Sequence, residues 1–436
     1  MIDIKLIREN PDLIRENIKK KFQKEKLPLV DQVKELDEEW RKLKAQADDL
    51  RAERNKVSQE INQTIKAKKD TKALLKKAKE IPEKIEKIER ESQGLEEKRN
   101  SVLQQIPNII SKDAPSGKDE LENKEIKKWG KIKAPDFKVK THVEIAESLK
   151  LADFESSAKV SGSGFYYLTG DLAMLNQALI RFSLDFMTKK GYTYIETPLM
   201  LNEKSIYASM DRKAIENSVY KIENENLHLI GTAEQSLLAM HSQETIPEWE
   251  LPKKYFSYSI CFRKEVGSHG INEKGLWRTH QFNKIEQFIF CRPEDSEKLY
   301  LELLKNSEEI LQALELPYRV LEICSGGLAD WKFRSADLEV YRPTTKDYGE
   351  VASLSNCTDF QARKLNIKYL DKKGNKAVLH TLNDTALATS RIMVAILENC
   401  QQKDGTIKIP KVLQPYMHGK KIIGQKEKIE IKNSKK

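Results

Sequence analysis

The chain has few cysteines and no long apolar run, and each of these absences excludes some classes of protein. Its five cysteines lie far apart and form no CxxC pair, which argues against a disulfide framework and a structural zinc cluster. No run approaches the roughly 20 apolar residues that span a bilayer, and the opening MIDIKLIREN lacks the apolar segment of a secretory signal. We therefore expect a cytoplasmic protein without a membrane partner.

Charge, by contrast, is abundant. Of the 436 residues, 33% are charged, the formal net charge is +10, and the mean hydropathy is -0.64. An excess of positive charge favours a polyanionic partner such as nucleic acid, although a lysine-rich background composition would give the same value. The length allows two or three domains and at least one sizeable core.

The N-terminal region carries a heptad repeat. Apolar residues alternate by four and three along residues 29–65, and again along 78–106, a pattern typical of coiled-coil helices. The polar stretch 67–72 is short, so we expect an antiparallel hairpin whose second helix is kinked or begun at Pro82. The arginines in the seams are expected to meet carboxylates across the hairpin: Arg54 with Glu83 or Glu86, and Arg99 with Glu35 or Glu38.

Lysines crowd the tip of this hairpin and its flank. Two interpretations stay open: a solvated coiled coil used for dimerisation, or an arm that grips a phosphate backbone. The residues concerned are Lys66, Lys68, Lys69, Lys72, Lys76 and Lys77.

Residues 255–290 predict a strand, a glycine-bearing loop and a second strand. Alternate side chains of a strand share a face, which groups Arg263 with Glu265, and Arg278 with Phe282 and Glu286. From Arg278 to Glu286 an extended strand would span about 27 Å. A solvated hairpin with ordinary surface charges is the simpler interpretation, but a charged, aromatic face of this length suits a nucleotide joined to a small zwitterion.

The same stretch resembles motif 2 of seryl-tRNA synthetases, with its Phe-Arg-x-Glu, Gly-Leu-x-Arg-x-His-Gln-Phe and Lys-x-Glu segments. The opening DIKLIRENPDLIRENIKKK is also similar to that family, and the resemblance covers about residues 1–417. It implies an α+β fold: a class II synthetase antiparallel sheet flanked by helices, with an N-terminal antiparallel two-helix coiled-coil arm. The implied regions are a tRNA-binding domain (1–110, arm about 29–106), a catalytic domain (111–418) and a basic tail (419–436).

Two further class II motifs resemble segments of the chain. Motif 1 corresponds to residues 172–200, which in this family build a homodimer interface, and motif 3 to residues 380–400. Asn383-Asp384-Thr385 departs from the Asn-Gly-Ser of many bacterial members, and Ser390 replaces a common glycine. A degenerate paralogue therefore remains an alternative.

The resemblance also implies roles for individual residues. Catalysis would rest on Arg263 and Arg391, with ATP and Mg²⁺ required and Glu350 and Ser353 as metal ligands. Because Glu350 and Ser353 are three residues apart, a bulge or bend is needed for both to face one ion. ATP would be bound by Arg263, Glu265, Arg278, Phe282, Glu350, Ser353 and Arg391. Serine would be bound by Thr232, Glu234, Arg263, Glu286, Asn383 and Thr385.

The implied activity is activation of L-serine with ATP, followed by transfer to tRNA(Ser), with tRNA(Sec) as a further candidate substrate. Two other functions fit the sequence less well. An inactive paralogue that binds tRNA would have little reason to keep the charged constellation, and a nonenzymatic coiled-coil RNA-binding protein would leave the C-terminal motifs unexplained.

Overall fold

The computed structural model describes residues 1–132, 135–266 and 274–424. The chain divides into two compact units, Met1–Ile109 and a second that begins at Ile110. No helix among these residues is both long and apolar enough to cross a membrane.

The first unit consists of helices, two of them long. Asn10 accepts a hydrogen bond from the Leu13 amide and caps the helix that starts at Pro11. The helices are α1 (Ile4–Glu9), α2 (Pro11–Lys20), α3 (Leu27–Lys66) and α4 (Lys72–Leu103).

Helices α3 and α4 pair antiparallel, as the heptads predict. Val57, Ile81 and Ile85 pack together between them, and the Lys77 ammonium lies 2.6 Å from the Glu53 carboxylate across the hairpin. Helix α4 runs on through Pro82 instead of beginning there. At 1.5 Å per residue, the 40 residues of α3 extend about 60 Å.

The predicted partners of the seam arginines are wrong. Arg99 is buried and donates to Asp37 at 3.1 Å instead of to Glu35 or Glu38. Asp37 is buried because it also accepts two hydrogen bonds from Arg8 of α1. The need to pair Arg8 as well as Arg99 makes Asp37 the partner, and heptad spacing does not reveal it.

Arg54 is exposed, and the ion pair that crosses the hairpin near it joins Arg51 to Glu89 at 2.5 Å. The predicted Arg54 pair with Glu83 or Glu86 is therefore not among the ion pairs described for the hairpin.

An eight-stranded sheet forms the centre of the second unit. Its order is β1-β10-β11-β12-β15-β9-β8-β4, and all neighbours are antiparallel except β4 and β8. The sheet strands are β1 (Lys124–Trp129), β4 (Thr193–Tyr194), β8 (Lys253–Phe262), β9 (Gln281–Cys291), β10 (Tyr318–Glu322), β11 (Arg334–Arg342), β12 (Asp347–Thr358) and β15 (His380–Ala388). The smaller strands are β2 (Ala152–Asp153), β3 (Tyr167–Leu168), β5 (Met200–Leu201), β6 (His228–Leu229), β7 (Thr245–Pro247), β13 (Lys368–Leu370), β14 (Lys376–Val378), β16 (Ile407–Lys408) and β17 (Ile422–Ile423).

Helices pack against this sheet and bury its apolar residues. Helix α7, which includes the start of the segment that resembles motif 1, buries an apolar stripe at Leu172, Leu175, Leu179 and Phe182, with Phe186 half-buried. The helices are α5 (His142–Ser148), α6 (Phe154–Ser161), α7 (Gly170–Lys189), α8 (Glu203–Ser209), α9 (Arg212–Ser218), α10 (Ala233–Ala239), α11 (Ser296–Ala313), α12 (Phe360–Leu365) and α13 (Thr389–Asn399).

Two segments are more ordered than the sequence predicts. Residues 107–140, whose Pro, Gly and Asp content predicts a connector, contain β1, which pairs with β10 at one edge of the sheet. The presumed tail begins later than residue 419, because β17 pairs with β16, Ile423 is fully buried and Lys420 forms an ion pair with Asp171. Residues 425–436 lie outside the described residues.

Candidate active site

Eleven of the twelve residues proposed for ATP and serine line one cavity of about 230 Å³. They come from β9, β12, β15, α10, α13 and the ends of the β8–β9 hairpin. The residues are Thr232, Glu234, Arg263, Glu265, Arg278, Phe282, Glu350, Ser353, Asn383, Thr385 and Arg391. The twelfth, Glu286, is 1% exposed and lies beneath the wall of the cavity.

The hairpin strands are shorter than predicted. Strand β8 ends at Phe262 and β9 begins at Gln281, so Arg263, Glu265 and Arg278 follow or precede the strands. Glu265 has a φ of 50°, which turns the chain away from the sheet and ends the alternation. The loop residues 267–273 lie outside the described residues.

Arg263 is held at the mouth of the hairpin. Its Nε donates to the Gly231 carbonyl at 3.0 Å, and its guanidinium lies 5.2 Å from the centre of the Phe282 ring. Glu265 and Arg278 lie close to each other, 3.8 Å between Oε2 and Nη1, and their side chains are 22% and 44% exposed. The site therefore presents an aromatic face beside two cations.

A buried polar network adjoins the cavity, which two of its members, Thr232 and Lys284, also line. Lys284 Nζ donates to Thr232 Oγ1 at 3.0 Å and forms an ion pair with Glu286. Thr232 Oγ1 in turn donates to Glu286 Oε2 at 3.3 Å. All three side chains are buried. A charged or hydroxyl group that enters this network must therefore find a matching hydrogen-bond partner in it.

Glu234 adjoins this network. Gln361 Nε2 donates to Glu234 Oε1 at 2.7 Å. Burial first, and the charge of Glu286 second, raise the pKa of Glu234 to about 7. The carboxyl is thus protonated more readily than that of an exposed glutamate.

Strand β15 separates the unusual triplet between two faces of the sheet. Asn383 and Thr385 line the cavity, whereas Asp384 is fully buried and accepts hydrogen bonds from Ser307 and Gln287 on the side of α11. Since alternate residues of a strand face opposite ways, the departure at Asp384 does not reach the cavity.

A β-bulge brings Glu350 and Ser353 to the same side, as their spacing requires. Pairing of β11 with β12 shifts register between Leu338 and Glu339, which leaves Val351 as the extra residue. Asp337, paired with Ser353 on β11, adds a second carboxyl close to Glu350. Burial first, and then the charge of Glu350, raise the pKa of Asp337 to about 7.

This group fits Mg²⁺. Carboxylate and hydroxyl oxygens are hard donors, and Mg²⁺ is usually held by one or two carboxylates together with substrate phosphates. The mutual repulsion of Asp337 and Glu350 is what a divalent cation would relieve. Within the described residues there is no group of three or more His, Cys, Asp or Glu side chains that could hold a metal ion.

Arg391 projects from the start of α13 and is fixed from two sides. Its Nη1 donates to the Glu350 carbonyl at 2.8 Å and lies 3.2 Å from the Glu350 carboxylate. Its Nε donates to the Trp277 carbonyl at 3.3 Å. Burial acts to raise the pKa of Glu350, but Arg391, Arg263 and Lys332 together outweigh it and lower that pKa.

Sequence reasoning missed several residues of this site. Lys284 alternates with Phe282 and Glu286 on β9, so the period of two could have identified it. Trp277 and Asp337 had no such signal, and neither had Lys332, which donates to Ser353 Oγ at 3.3 Å, or Gln361.

Comparison with known proteins agrees with this geometry. A family model for the class II core domain of tRNA synthetases (G, H, P, S and T) matches residues 219–400, and one for the seryl-tRNA synthetase N-terminal domain matches residues 1–110. The serine–tRNA ligase of Methanocella arvoryzae is 46% identical over 96% of this chain and 99% of its own length. That of Pyrococcus furiosus is 43% identical over 98% of this chain and 99% of its own.

Solved structures give the same result. The seryl-tRNA synthetase from Pyrococcus horikoshii complexed with ATP superposes with a TM-score of 0.91 at 42% identity, covering 97% of this chain and 99% of its own. The cytoplasmic serine–tRNA ligase from Naegleria fowleri in complex with AMP gives 0.86 at 35% identity, over 97% and 98%. The family models, the relatives and the fold together place this chain in the seryl-tRNA synthetase family of class II aminoacyl-tRNA synthetases.

Proposed function

We propose that this chain is a serine–tRNA ligase whose cavity joins L-serine to ATP. A serine carboxylate oxygen bonds to the α-phosphorus as the bond to the bridging oxygen breaks, which gives seryl-adenylate and pyrophosphate. The observation that carries this proposal is that Arg263, Arg391, Phe282 and Thr232 line one cavity, with Glu286 buried beside it and accepting from Thr232.

ATP is placed by the cationic and aromatic end of the cavity. Phe282 stacks on the adenine, and Glu265 accepts from its amino group. Arg263 contacts the α-phosphate and the incoming carboxylate, while Arg278 and Arg391 hold the γ-phosphate. Two like-charged groups must approach, so fixed cations lower the barrier mainly through charge stabilisation and positioning.

Mg²⁺ would be held by Glu350 and Ser353, and when bound it neutralises phosphate charge. Two neighbouring side chains position these ligands: Arg391 orients Glu350, and Lys332 donates to Ser353.

Serine is selected by the buried network. Thr232 and Glu286 receive its ammonium, Glu234 supports them, and Asn383 and Thr385 complete the hydroxyl pocket with Glu286. A buried site built for a hydroxyl rejects an analogue lacking it by roughly 10⁴–10⁵, which excludes alanine. Threonine is excluded by lack of room for its methyl group.

The arm is proposed to bind tRNA(Ser), with tRNA(Sec) as a second candidate. Support comes from the exposed lysines at the tip of the α3–α4 hairpin and from electrostatic attraction to phosphate. A homodimer is proposed through motif 1, and a cytoplasmic location agrees with the cytoplasmic relative from Naegleria fowleri.

The rival is an inactive paralogue that binds tRNA. The site argues against it, because Asp384 faces away from the cavity and the charged residues that would activate serine are all present.

The test is serine-dependent exchange of labelled pyrophosphate into ATP without tRNA. We expect robust exchange by the native chain. Glu286→Gln removes the charge that receives the ammonium, and losing one member of a buried charged pair costs about 2–5 kcal/mol, so exchange should fall about 100-fold or more. Absence of exchange by the native chain would overturn the proposal in favour of the paralogue.

A matched control is Glu308→Gln. Glu308 is also buried, 6% exposed, and pairs with Lys127 at 2.7 Å, but neither partner lines the cavity, whereas Lys284 beside Glu286 does. It should retain exchange; an equal loss in both variants would show that the Glu286 effect comes from folding.

A further inference from the structure

We propose that a buried polar cluster behind the cavity, Glu398 with Arg342 and His142, positions Trp277 and through it the Arg391 guanidinium, and so sets the affinity for ATP. We call it the Glu398 cluster. Its members are positioning residues that do not line the cavity. The inference rests on the proposed role of Arg391 in holding the γ-phosphate.

Glu398, at the end of α13, is the centre of the cluster. It is 1% exposed and accepts from Arg342 Nη2 at 2.9 Å, from Arg342 Nε at 3.3 Å and from Thr344 Oγ1 at 2.7 Å. Burial acts to raise the pKa of Glu398, but hydrogen bonds from His142 and Arg342 outweigh it and lower that pKa. The ionised carboxylate fixes the plane of the Arg342 guanidinium.

One branch runs from Arg342 to the active-site arginine. The Arg342 guanidinium lies 4.3 Å from the centre of the Trp277 ring, and that of Arg391 lies 5.4 Å from the same ring. The ring is confined from β12 as well, because a Cβ on Gly349 would lie 2.4 Å from Trp277 Cζ2. Trp277 is thus held between the cluster, the backbone of Gly349 and the Arg391 side chain.

A second branch fixes the backbone that leads into Trp277. His142 Nδ1 lies 3.2 Å from Glu398 Oε1, and its Nε2 accepts from the Leu276 amide at 3.2 Å. Gly275 has a φ of +124°, and a Cβ there would lie 2.3 Å from His142 Nε2. Two successive hydrogen bonds, Glu398 to His142 and His142 to the Leu276 amide, therefore hold the backbone beside Trp277. The Trp277 carbonyl on that backbone accepts from Arg391.

This arrangement does more than fill the core. A free arginine side chain loses rotamer entropy when it binds phosphate, and holding it beforehand reduces that loss. The cluster positions, through Trp277, the Arg391 guanidinium that contacts ATP. Disrupting the cluster should therefore weaken ATP binding without altering the serine pocket.

Arg342→Lys is the principal test. Lysine keeps the charge beside Glu398 but lacks the planar group that stacks on Trp277. We expect the ATP dissociation constant, measured by titration calorimetry without serine, to rise about tenfold. In pyrophosphate exchange the KM for ATP should rise likewise, while the KM for serine stays within about twofold.

The chain offers a matched control on the same strand. Arg334, at the other end of β11, donates to Glu322 at 2.7 Å and lies 4.9 Å from the Tyr300 ring. Arg334→Lys should lower the melting temperature and leave ATP affinity unchanged. A second probe, Glu398→Gln, is isosteric and should reproduce the Arg342→Lys effect from the far side of the cluster.

The outcomes separate this inference from the function on which it rests. If the native chain shows no exchange, the proposed function fails. If the native chain exchanges and both Arg342→Lys and Glu398→Gln bind ATP normally, or if Arg334→Lys weakens ATP binding equally, only the positioning role is overturned.

Discussion

At the scale of single residues, alternate side chains of β15 have different roles on the two faces of the sheet. Asn383 and Thr385 reach the cavity, whereas Asp384 is buried against α11 and accepts from Ser307 and Gln287. Asp384 therefore contributes to the support of the sheet and not to the proposed serine pocket. Its effect should appear in stability.

We expect Asp384→Asn to remove a loss of folding stability that grows with pH. Burial raises the pKa of Asp384 well above its usual range, so the folded chain holds a proton that the unfolded chain releases above about pH 4. The free energy of unfolding then falls by about 1.4 kcal/mol per pH unit up to the folded pKa. Asparagine does not titrate, so the melting temperature of Asp384→Asn relative to native should rise steadily from pH 5 to 8.

The control is Asp404→Asn. The carboxyl of Asp404 is exposed, and its pKa is lowered by its bonds to Thr406. Its stabilising effect is lost only in acid, so its difference from native should stay flat over the same range. A flat line for Asp384→Asn as well would contradict the buried protonated acid; serine activation should persist in both.

Sequence reasoning at this scale succeeded where one segment carries the information. Phe282 and Glu286 share a face of β9 as the period of two requires, and the Glu350–Ser353 spacing correctly demanded a bulge. It failed for Asp337 and Gln361, because they reach the site from β11 and α12. No local pattern states which distant segments will be neighbours.

At the scale of elements, the arm was the easiest part to predict. A repeat of four and three determines a two-helix seam without reference to the rest of the fold. The exception is Asp37, which a hydrophobic pattern counts as a surface position although it is 1% exposed and joins Arg8, Arg41 and Arg99. A buried ion-pair hub is specified by its partners and not by its spacing.

We expect neutralising the arm tip to weaken tRNA binding alone. The change is Lys68, Lys69 and Lys72 to Gln, at exposed positions where α3 turns into α4. Each lost phosphate contact should reduce the slope of log affinity against log salt by about 0.9. The KM for tRNA should rise while pyrophosphate exchange is unchanged, and filter binding over a salt series measures the slope.

Three exposed lysines elsewhere provide the comparison. Lys372, Lys373 and Lys376, changed to Gln, remove the same charge from the β13–β14 turn. If both triple variants weaken tRNA binding equally, net charge and not the arm is responsible, and the arm assignment fails.

At the scale of the whole molecule, fold class followed from the motifs but sheet order did not. Strand β1 pairs with β10, almost two hundred residues later, and the presumed connector thereby becomes a sheet edge. The opposite edge is β4, within motif 1, where Tyr194 is 40% exposed. An exposed edge strand with an aromatic side chain is open to association.

We expect light scattering to give twice the chain mass of 50.4 kDa. Tyr194→Lys places a charge on the β4 edge and should shift the protein toward monomer, because charged edges oppose pairing. Trp249→Lys is the matched control, as Trp249 is 80% exposed but lies outside motif 1. A native monomer, or dissociation by both substitutions, would count against the motif 1 interface.

The contact between Lys284 and Glu286 has a consequence for how tightly serine can bind. Before any substrate arrives, an ammonium of the chain itself already occupies the carboxylate and hydroxyl assigned to serine's ammonium. If Glu286 and Thr232 receive serine as proposed, serine enters by exchanging one cation for another, and much of the electrostatic attraction cancels. We expect such an exchange to leave the amino acid loosely held and quickly replaced, and to disfavour molecules that bring no cation to replace the lysine.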